Sequence, residues 1–262
     1  MTYAVLRQAC LALVLTLFGI CTSHAQAADT TPQKAAETPA DQPAPVPPAS
    51  PLSPVSVSYT ASIDKGIELN GSATRSLEHL KDGTWLVRFN VDSFVADIRE
   101  TLHFRWQDNR VVPLAYHYRL SGLLIRDREN KLDYDWDKHR VSGKVRGKSF
   151  TMDAPDGALD PLGYQLQLRE DLRAGKKEMA YQVTDKARYE TSRFAVIGQE
   201  KLATELGKLD TLKVEKVRAP DSKRETLMWF APDKDYLLVR LVQVETDGTR
   251  YEINIKKADL SP

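Results

Sequence analysis

The sequence has no cysteine beyond residue 21, because its two, Cys10 and Cys21, both fall in the first 25 residues. With that segment removed no disulfide can form, even in an oxidising compartment, so stability must come from a packed core. A thiol nucleophile is excluded as well. Net charge is also missing. Of 37 basic residues only Arg7 lies in the first 25, so the remaining 36 balance the 36 acidic ones. That balance excludes a general nucleic-acid binder, which needs a basic excess to displace counterions. From Ala27 to Pro54 there are eight prolines and no aromatic residue. Such a stretch cannot form a core and favours extended, polyproline-like conformations.

What is present at the N-terminus reads as a signal peptide over residues 1–25. Arg7 gives a positive start, Leu11 to Ile20 is continuously apolar, and Ser23-His24-Ala25 places small residues at a cleavage site. The apolar run is too short for a spanning helix, which needs roughly 20 residues. Cleavage is expected after Ala25, with Ala27 as second choice. Cys21 raises lipoprotein anchoring, but Ile20 stands where acylation needs a small residue, so this route is disfavoured. The expectation is a periplasmic protein with a Pro/Ala-rich disordered linker over 26–54 and a single β-rich domain over 55–262. Any membrane association is expected to be peripheral.

From Val55 onward short alternating runs are separated by turn dipeptides. Trp85, Val87, Phe89 and Val91 alternate with Leu86, Arg88, Asn90 and Asp92, while Leu102, Phe104 and Trp106 alternate with Thr101, His103 and Arg105. Val112, Leu114, Tyr116, Tyr118 and Leu120 share a further phase, and Leu132, Tyr134 and Trp136 alternate with Asp133, Asp135 and Asp137. These are strand patterns. Asn70-Gly71, Asp82-Gly83, Asp108-Asn109, Asp137-Lys138 and Asp247-Gly248 supply turn chemistry between them. Leu237-Leu238-Val239-Arg240-Leu241-Val242 is apolar on both phases, which predicts a central strand. One segment differs: Asp160-Pro161 suits a helix start and Gly175 a helix end, with Leu162, Leu166, Leu168 and Leu172 between. Tyr164, Leu166 and Leu168 also alternate, so a strand competes with the helix here. The fold class is therefore mainly β, a curved antiparallel sheet or open half-barrel meander with one packed helix.

Three places carry a family resemblance. They are Leu159-Asp160-Pro161-Leu162-Gly163-Tyr164-Gln165-Leu166-Gln167-Leu168-Arg169, then Trp229-Phe230-Ala231-Pro232-Asp233 with Val239-Arg240-Leu241, and Asp247-Gly248 in the final hairpin. On these the chain resembles the bacterial exported proteins grouped as domain of unknown function 3108, over residues 56–258. Gly163 departs from the Ser that the pattern would place there, and Leu238 from the Pro. The resemblance implies no reaction. By analogy it suggests the open half-barrel with a helical lid of envelope lipoprotein carriers.

Little in the sequence matches a catalytic motif. Gly143-Lys144-Val145-Arg146-Gly147-Lys148-Ser149 is similar to a phosphate loop but has three residues, not four, between its glycines. Asp133, Asp135 and Asp137 begin like a calcium loop, yet Lys138 and Lys144 stand at the Gly and Glu positions. Among His79, His103, His117 and His139 only His103 and His117 lie on neighbouring strands, and a zinc site between them lacks a third ligand. No metal or cofactor is implied. Lys138, Arg140, Lys144, Arg146 and Lys148 share one alternating phase, a basic stripe suited to anionic headgroups, lipopolysaccharide or acidic glycans. Trp85, Phe89, Phe104, Trp106, Tyr116, Tyr118, Tyr134 and Trp136 form an aromatic set that either fills a core or lines a cavity.

The leading reading is a non-enzymatic periplasmic module that binds a lipid or other amphipathic envelope component. Arg140, Lys144, Arg146 and Lys148 would meet the head, with Trp106, Tyr116, Tyr118 and Trp136 against the apolar part. The alternatives are a structural protein docking on an envelope protein partner through a sheet edge, and a glycan hydrolase using a carboxylate pair such as Glu100 with Asp133.

Overall fold

The structure is a computed structural model that describes residues 52–260 apart from 124 and 186. The signal segment, the lipoprotein cysteine and nearly all of the linker lie outside the described residues. Leu52, which the sequence reading assigns to the linker, is buried against the core.

Fourteen strands and one helix follow. The strands are β1 (Val55–Asp64), β2 (Glu68–His79), β3 (Trp85–Ser93), β4 (Asp97–Gln107), β5 (Arg110–Ser121), β6 (Arg128–Asp135), β7 (Arg140–Val145) and β8 (Lys148–Asp153). After helix α1 (Gly163–Arg173) come β9 (Glu178–Asp185), β10 (Arg188–Thr204), β11 (Gly207–Val217), β12 (Glu225–Ala231), β13 (Leu237–Val244) and β14 (Arg250–Leu260). All join one antiparallel sheet in the order β8 to β1, then β14 down to β9. The sheet is not closed into a barrel, and its two edges, β8 and β9, lie in the middle of the chain.

Alternation places the core. Val57 and Tyr59, Val87, Leu102 and Phe104, Leu132 and Val141 are buried on one face, as the two-residue strand period requires. The turns at Asp82-Gly83, Asp108-Asn109 and Asp247-Gly248 are real, with φ of 52° and 59° at Asp108 and Asn109, the pair of positive angles that a tight hairpin demands. Asn70-Gly71 is not a turn. It lies inside β2, and a Cβ on Gly71 would stand 2.5 Å from the Asp92 carbonyl oxygen, so this glycine serves close approach of strands. The actual β1–β2 turn is at Gly66, φ 82°.

The phase expected along β5 is corrected too. His103 pairs with Ala115 but Phe104 with Pro113, which leaves Leu114 as a bulge, a one-residue insertion that flips side chains to the other face. Val111 and Pro113 therefore point inward before it and Tyr116, Tyr118 and Leu120 after it, while Val112 and Leu114 are only partly buried. As expected, Leu237, Leu238, Val239 and Val242 of β13 are buried between two neighbouring strands.

Helix wins over strand at 163–173. Asp160 Oδ1 accepts hydrogen bonds from the backbone N–H groups of Leu162 (2.9 Å) and Gly163 (3.0 Å), satisfying donors that a helix start leaves open. Gly163 has a packing reason, since a Cβ there would lie 2.7 Å from Asp160 Oδ2. At the other end Gly175 has φ 82°, and the N–H groups of Gly175 and Lys176 reach the carbonyls of Leu172 and Asp171, the Schellman arrangement that stops a helix. Leu162, Leu166, Leu168 and Leu172 are buried against the concave face. Together they contribute at most about 6–12 kcal/mol of burial. Arg169 and Arg173 both bind the Asp235 carboxylate, fixing the helix to the turn before β13.

A strap over residues 154–162 covers the open seam. Ala154 N–H donates to the His139 carbonyl at 2.7 Å, and Leu159 exchanges bonds with Gln182 and Thr184 of β9. Tyr134 of β6 meets Thr184 Oγ1 at 3.0 Å across the same gap. An unpaired sheet edge is thereby shielded.

Candidate functional site

The concave side is not filled throughout. A cavity of about 210 Å³ remains at the end of the sheet where the β1–β2, β3–β4, β9–β10, β11–β12 and β13–β14 connections lie. Its lining comes from the last residues of odd strands and the first of even ones, with the start of α1 closing the floor through Pro161, Tyr164 and Gln165.

Two walls of different character face one another. The first, from β1 to β5 with β13 and β14, is mostly apolar through Ile63, Leu69, Phe89, Val91, Ile98 and Leu241, and also carries Arg75, Glu100 and Glu252. The second, from β9 to β12, carries Thr184, Glu190, Ser192, Lys216, Arg218 and Thr226. Lys216 continues the inward phase of buried Val214 on β11, and Arg218 follows one residue past the strand; both line the cavity.

Three cations line this space, and none has a carboxylate within ion-pair distance among the described residues. Arg75 Nη1 donates to Gln165 Oε1 at 2.9 Å, its one hydrogen bond among the described residues. Arg218 Nη2 donates to Thr226 Oγ1 at 3.1 Å, while its Nε is buried with no acceptor. Burial, followed by the like charge of Arg218, pushes Lys216 down to about 8. Burial also lowers Arg75 and Arg218. All three are partly buried; withdrawing charge from water without a partner is costly, and the cost falls when an anion enters.

Most of the acidic groups nearby are engaged by hydrogen bonds or ion pairs. Glu100 Oε2 accepts the Tyr116 hydroxyl at 3.0 Å, and burial raises its carboxyl to about 7. Burial raises Asp160 to about 6. Glu252 is held by Arg240, Arg250 and Asn254. Glu190 faces the cations with its Oε2 buried and unpartnered. The cavity thus combines an apolar wall with a net basic one, a layout suited to an amphiphile with an anionic group.

The residues singled out from sequence lie elsewhere. Arg140 and Lys144 are exposed on β7, Arg146 occupies the β7–β8 turn with φ 49°, and Lys148 starts β8. The expected single-strand stripe is corrected to a hairpin, because the positive φ at Arg146 and Gly147 folds the chain back. None of the four lines the cavity. Tyr116 and Tyr118 are buried in the core, and Trp106 and Trp136 pack on its margin, with Trp136 Nε1 donating to the Pro113 carbonyl at 2.6 Å. Of the aromatic set only Phe89 reaches the cavity.

The carboxylate pair Glu100 and Asp133 is not assembled, since Glu100 is buried in the concave face and Asp133 is exposed on β6. Nor do His103 and His117 meet. His103 Nε2 lies 2.7 Å from Thr84 Oγ1 and His117 Nε2 lies 2.9 Å from Glu129 Oε1. Among the described residues no group of three or more His, Cys, Asp or Glu is placed to hold a metal ion.

Sequence reasoning missed Arg75, Lys216 and Arg218. The signal was present as a cation on the inward phase: Ala73, Arg75, Leu77 on β2, and Val214, Lys216 on β11 with Arg218 just past its end. Three exposed apolar side chains stand on turns at the same end of the sheet, Ile67 (75 %), Phe94 (87 %) and Leu123 (62 %).

A family model described as "Protein of unknown function (DUF3108)" matches residues 57–256. No curated protein matches. Among solved structures, a β-barrel-like protein of domain of unknown function DUF1849 from Brucella abortus is similar, with TM-score 0.55 and 12% identity, covering 80% of this chain and 99% of that one. A DUF1329 family protein from Desulfovibrio piger ATCC 29098 aligns with TM-score 0.23 and 11% identity over 80% of this chain and 86% of that one. The first likeness shows a shared β-barrel-like fold.

Proposed function

We propose that this chain, which belongs to the DUF3108 family, is a non-enzymatic periplasmic module that holds a lipid or other amphipathic envelope component inside its curved sheet. One observation carries the reading: an interior cavity of about 210 Å³ sets a mostly apolar wall opposite Lys216 and Arg218, which among the described residues have no carboxylate within ion-pair distance. Apolar lining with a few convergent polar groups is the usual form of a small-molecule site. The periplasmic setting rests on the signal-peptide pattern of residues 1–25.

The test is native mass spectrometry of the protein purified from the periplasm without detergent, before and after organic extraction. A stoichiometric adduct that extracts as a lipid supports the reading. A bare mass, still bare after incubation with envelope lipids, overturns it. The second reading, a module that docks on an envelope protein, would then stand on the exposed Ile67, Phe94 and Leu123, since exposed apolar groups gathered at one end mark contact surfaces.

A further inference from the structure

We propose that Lys216 and Arg218 form an anion subsite within the cavity, which takes the phosphate or carboxylate of an amphiphile whose apolar part lies on the β1–β4 wall. This inference rests on the binding-module reading above and adds the ligand's chemical class and orientation.

The geometry comes from β11. Lys216 points inward from the end of β11 and Arg218 stands one residue past it, within roughly 7 Å along an extended chain, so both side chains address one region. Both line the cavity, and Ser192 and Thr226 bring hydroxyls to the same wall. Arg218 keeps one donor on Thr226 and leaves Nε buried without an acceptor. Lys216 has no hydrogen-bond or ion-pair partner among the described residues.

Most charges around the pair cancel. Arg224 is bound by Glu245 through Nε at 2.7 Å, so those two cancel. Asp185 lies 3.7 Å from Arg188. That leaves two cations facing one carboxylate, Glu190, whose Oε2 also lacks a donor. A guanidinium and an ammonium converging on one spot suit a phosphate or carboxylate through charge-assisted bonds. Opposite them, Ile63, Leu69, Val91 and Ile98 offer only hydrocarbon. A free inorganic anion would leave that wall uncovered, whereas an acyl chain attached to the anion covers it.

Isothermal titration of the delipidated protein isolated from the periplasm tests this with four probes: palmitate, palmitoyl lysophosphatidic acid, monopalmitoylglycerol and inorganic phosphate. The two acyl anions should bind roughly tenfold to hundredfold more tightly than the neutral monopalmitoylglycerol, the range expected for charged hydrogen bonds. Lys216→Met with Arg218→Met should erase that preference and keep monopalmitoylglycerol binding, which also reports that the variant is folded. If the double variant loses its fold, Lys216→Gln alone serves, and it should reduce the preference at least threefold.

An unchanged preference in the variants, or none in the natural protein, overturns the subsite while the cavity reading survives. Inorganic phosphate binding as tightly as palmitoyl lysophosphatidic acid overturns the amphiphile and assigns a free anion. Failure of every acyl probe to bind removes the binding-module reading itself.

Discussion

Replacing Glu100 by Gln should make the protein more stable at neutral pH, although it removes a buried hydrogen-bonded residue. Glu100 projects from β4 into the concave face with 5 % of its surface exposed. Burial raises its carboxyl to about 7, the Tyr116 hydrogen bond and Arg75 oppose the rise, and Asp160 adds to it. In the unfolded chain the group returns to about 4.5. Between those values the folded protein binds more protons than the unfolded one, so stability falls as pH rises. The contribution is fully present below about pH 4.5 and lost as pH passes through about 7. At about 1.4 kcal/mol for each tenfold change in proton affinity, this amounts to about 3 kcal/mol. A glutamine amide is neutral throughout and still accepts from the Tyr116 hydroxyl. Urea unfolding followed by tryptophan fluorescence from pH 4.5 to 8.5 should show the variant close to the natural protein at the acid end and up to about 3 kcal/mol more stable at the alkaline end. Parallel pH profiles for the two proteins, or a variant less stable at pH 8.5, would refute the reasoning.

Three further outcomes follow from the packing. Leu168→Ala, at a side chain with no exposed surface, should cost about 2–5 kcal/mol in urea unfolding and weaken the near-ultraviolet circular dichroism of the core. Asp235→Asn keeps a side chain that tolerates the left-handed backbone at φ 56° but removes the charge shared by Arg169 and Arg173, so stability should fall by about 1–3 kcal/mol. Gly143→Ala would set a Cβ 2.1 Å from the Lys131 carbonyl oxygen. Parting β6 from β7 should cost about 1–3 kcal/mol and speed amide exchange in those two strands before the rest of the sheet.

The fold was largely legible because its signals are local. Trp85, Val87, Leu102 and Phe104 reveal the strand period, Asp108-Asn109 a hairpin, and Asp160-Pro161 with Gly175 both ends of the helix. Where two residues have the same local meaning and different tertiary roles, the reading failed. Asn70-Gly71 carries turn chemistry but serves strand contact, and no pattern along β5 announces that Leu114 will bulge. The candidate site was less legible still. A count of cations draws attention to the run from Lys138 to Lys148, which solvates easily on a hairpin, whereas Arg75, Lys216 and Arg218 line one cavity only when strands far apart in sequence curl toward one another. The distinguishing mark of Arg75 and Lys216 is phase, since each occupies a position that its strand neighbours Ala73, Leu77 and Val214 give to buried apolar side chains.

The sheet order sets a sequence of assembly. Every pairing but one joins consecutive strands, and the exception is β1 with β14, where Val57 meets Ala258. Contacts between sequence neighbours form quickly, while distant ones wait on loop closure. The chain can therefore raise two separate meanders, β1 to β8 and β9 to β14, before the long-range zipper between them closes. The apolar wall of the cavity belongs mostly to the first meander and its basic wall to the second, so neither half-product owns a binding site. Occupancy of the cavity then serves as a certificate of completed folding, and ligand binding adds its stabilisation only to molecules in which the last junction has closed.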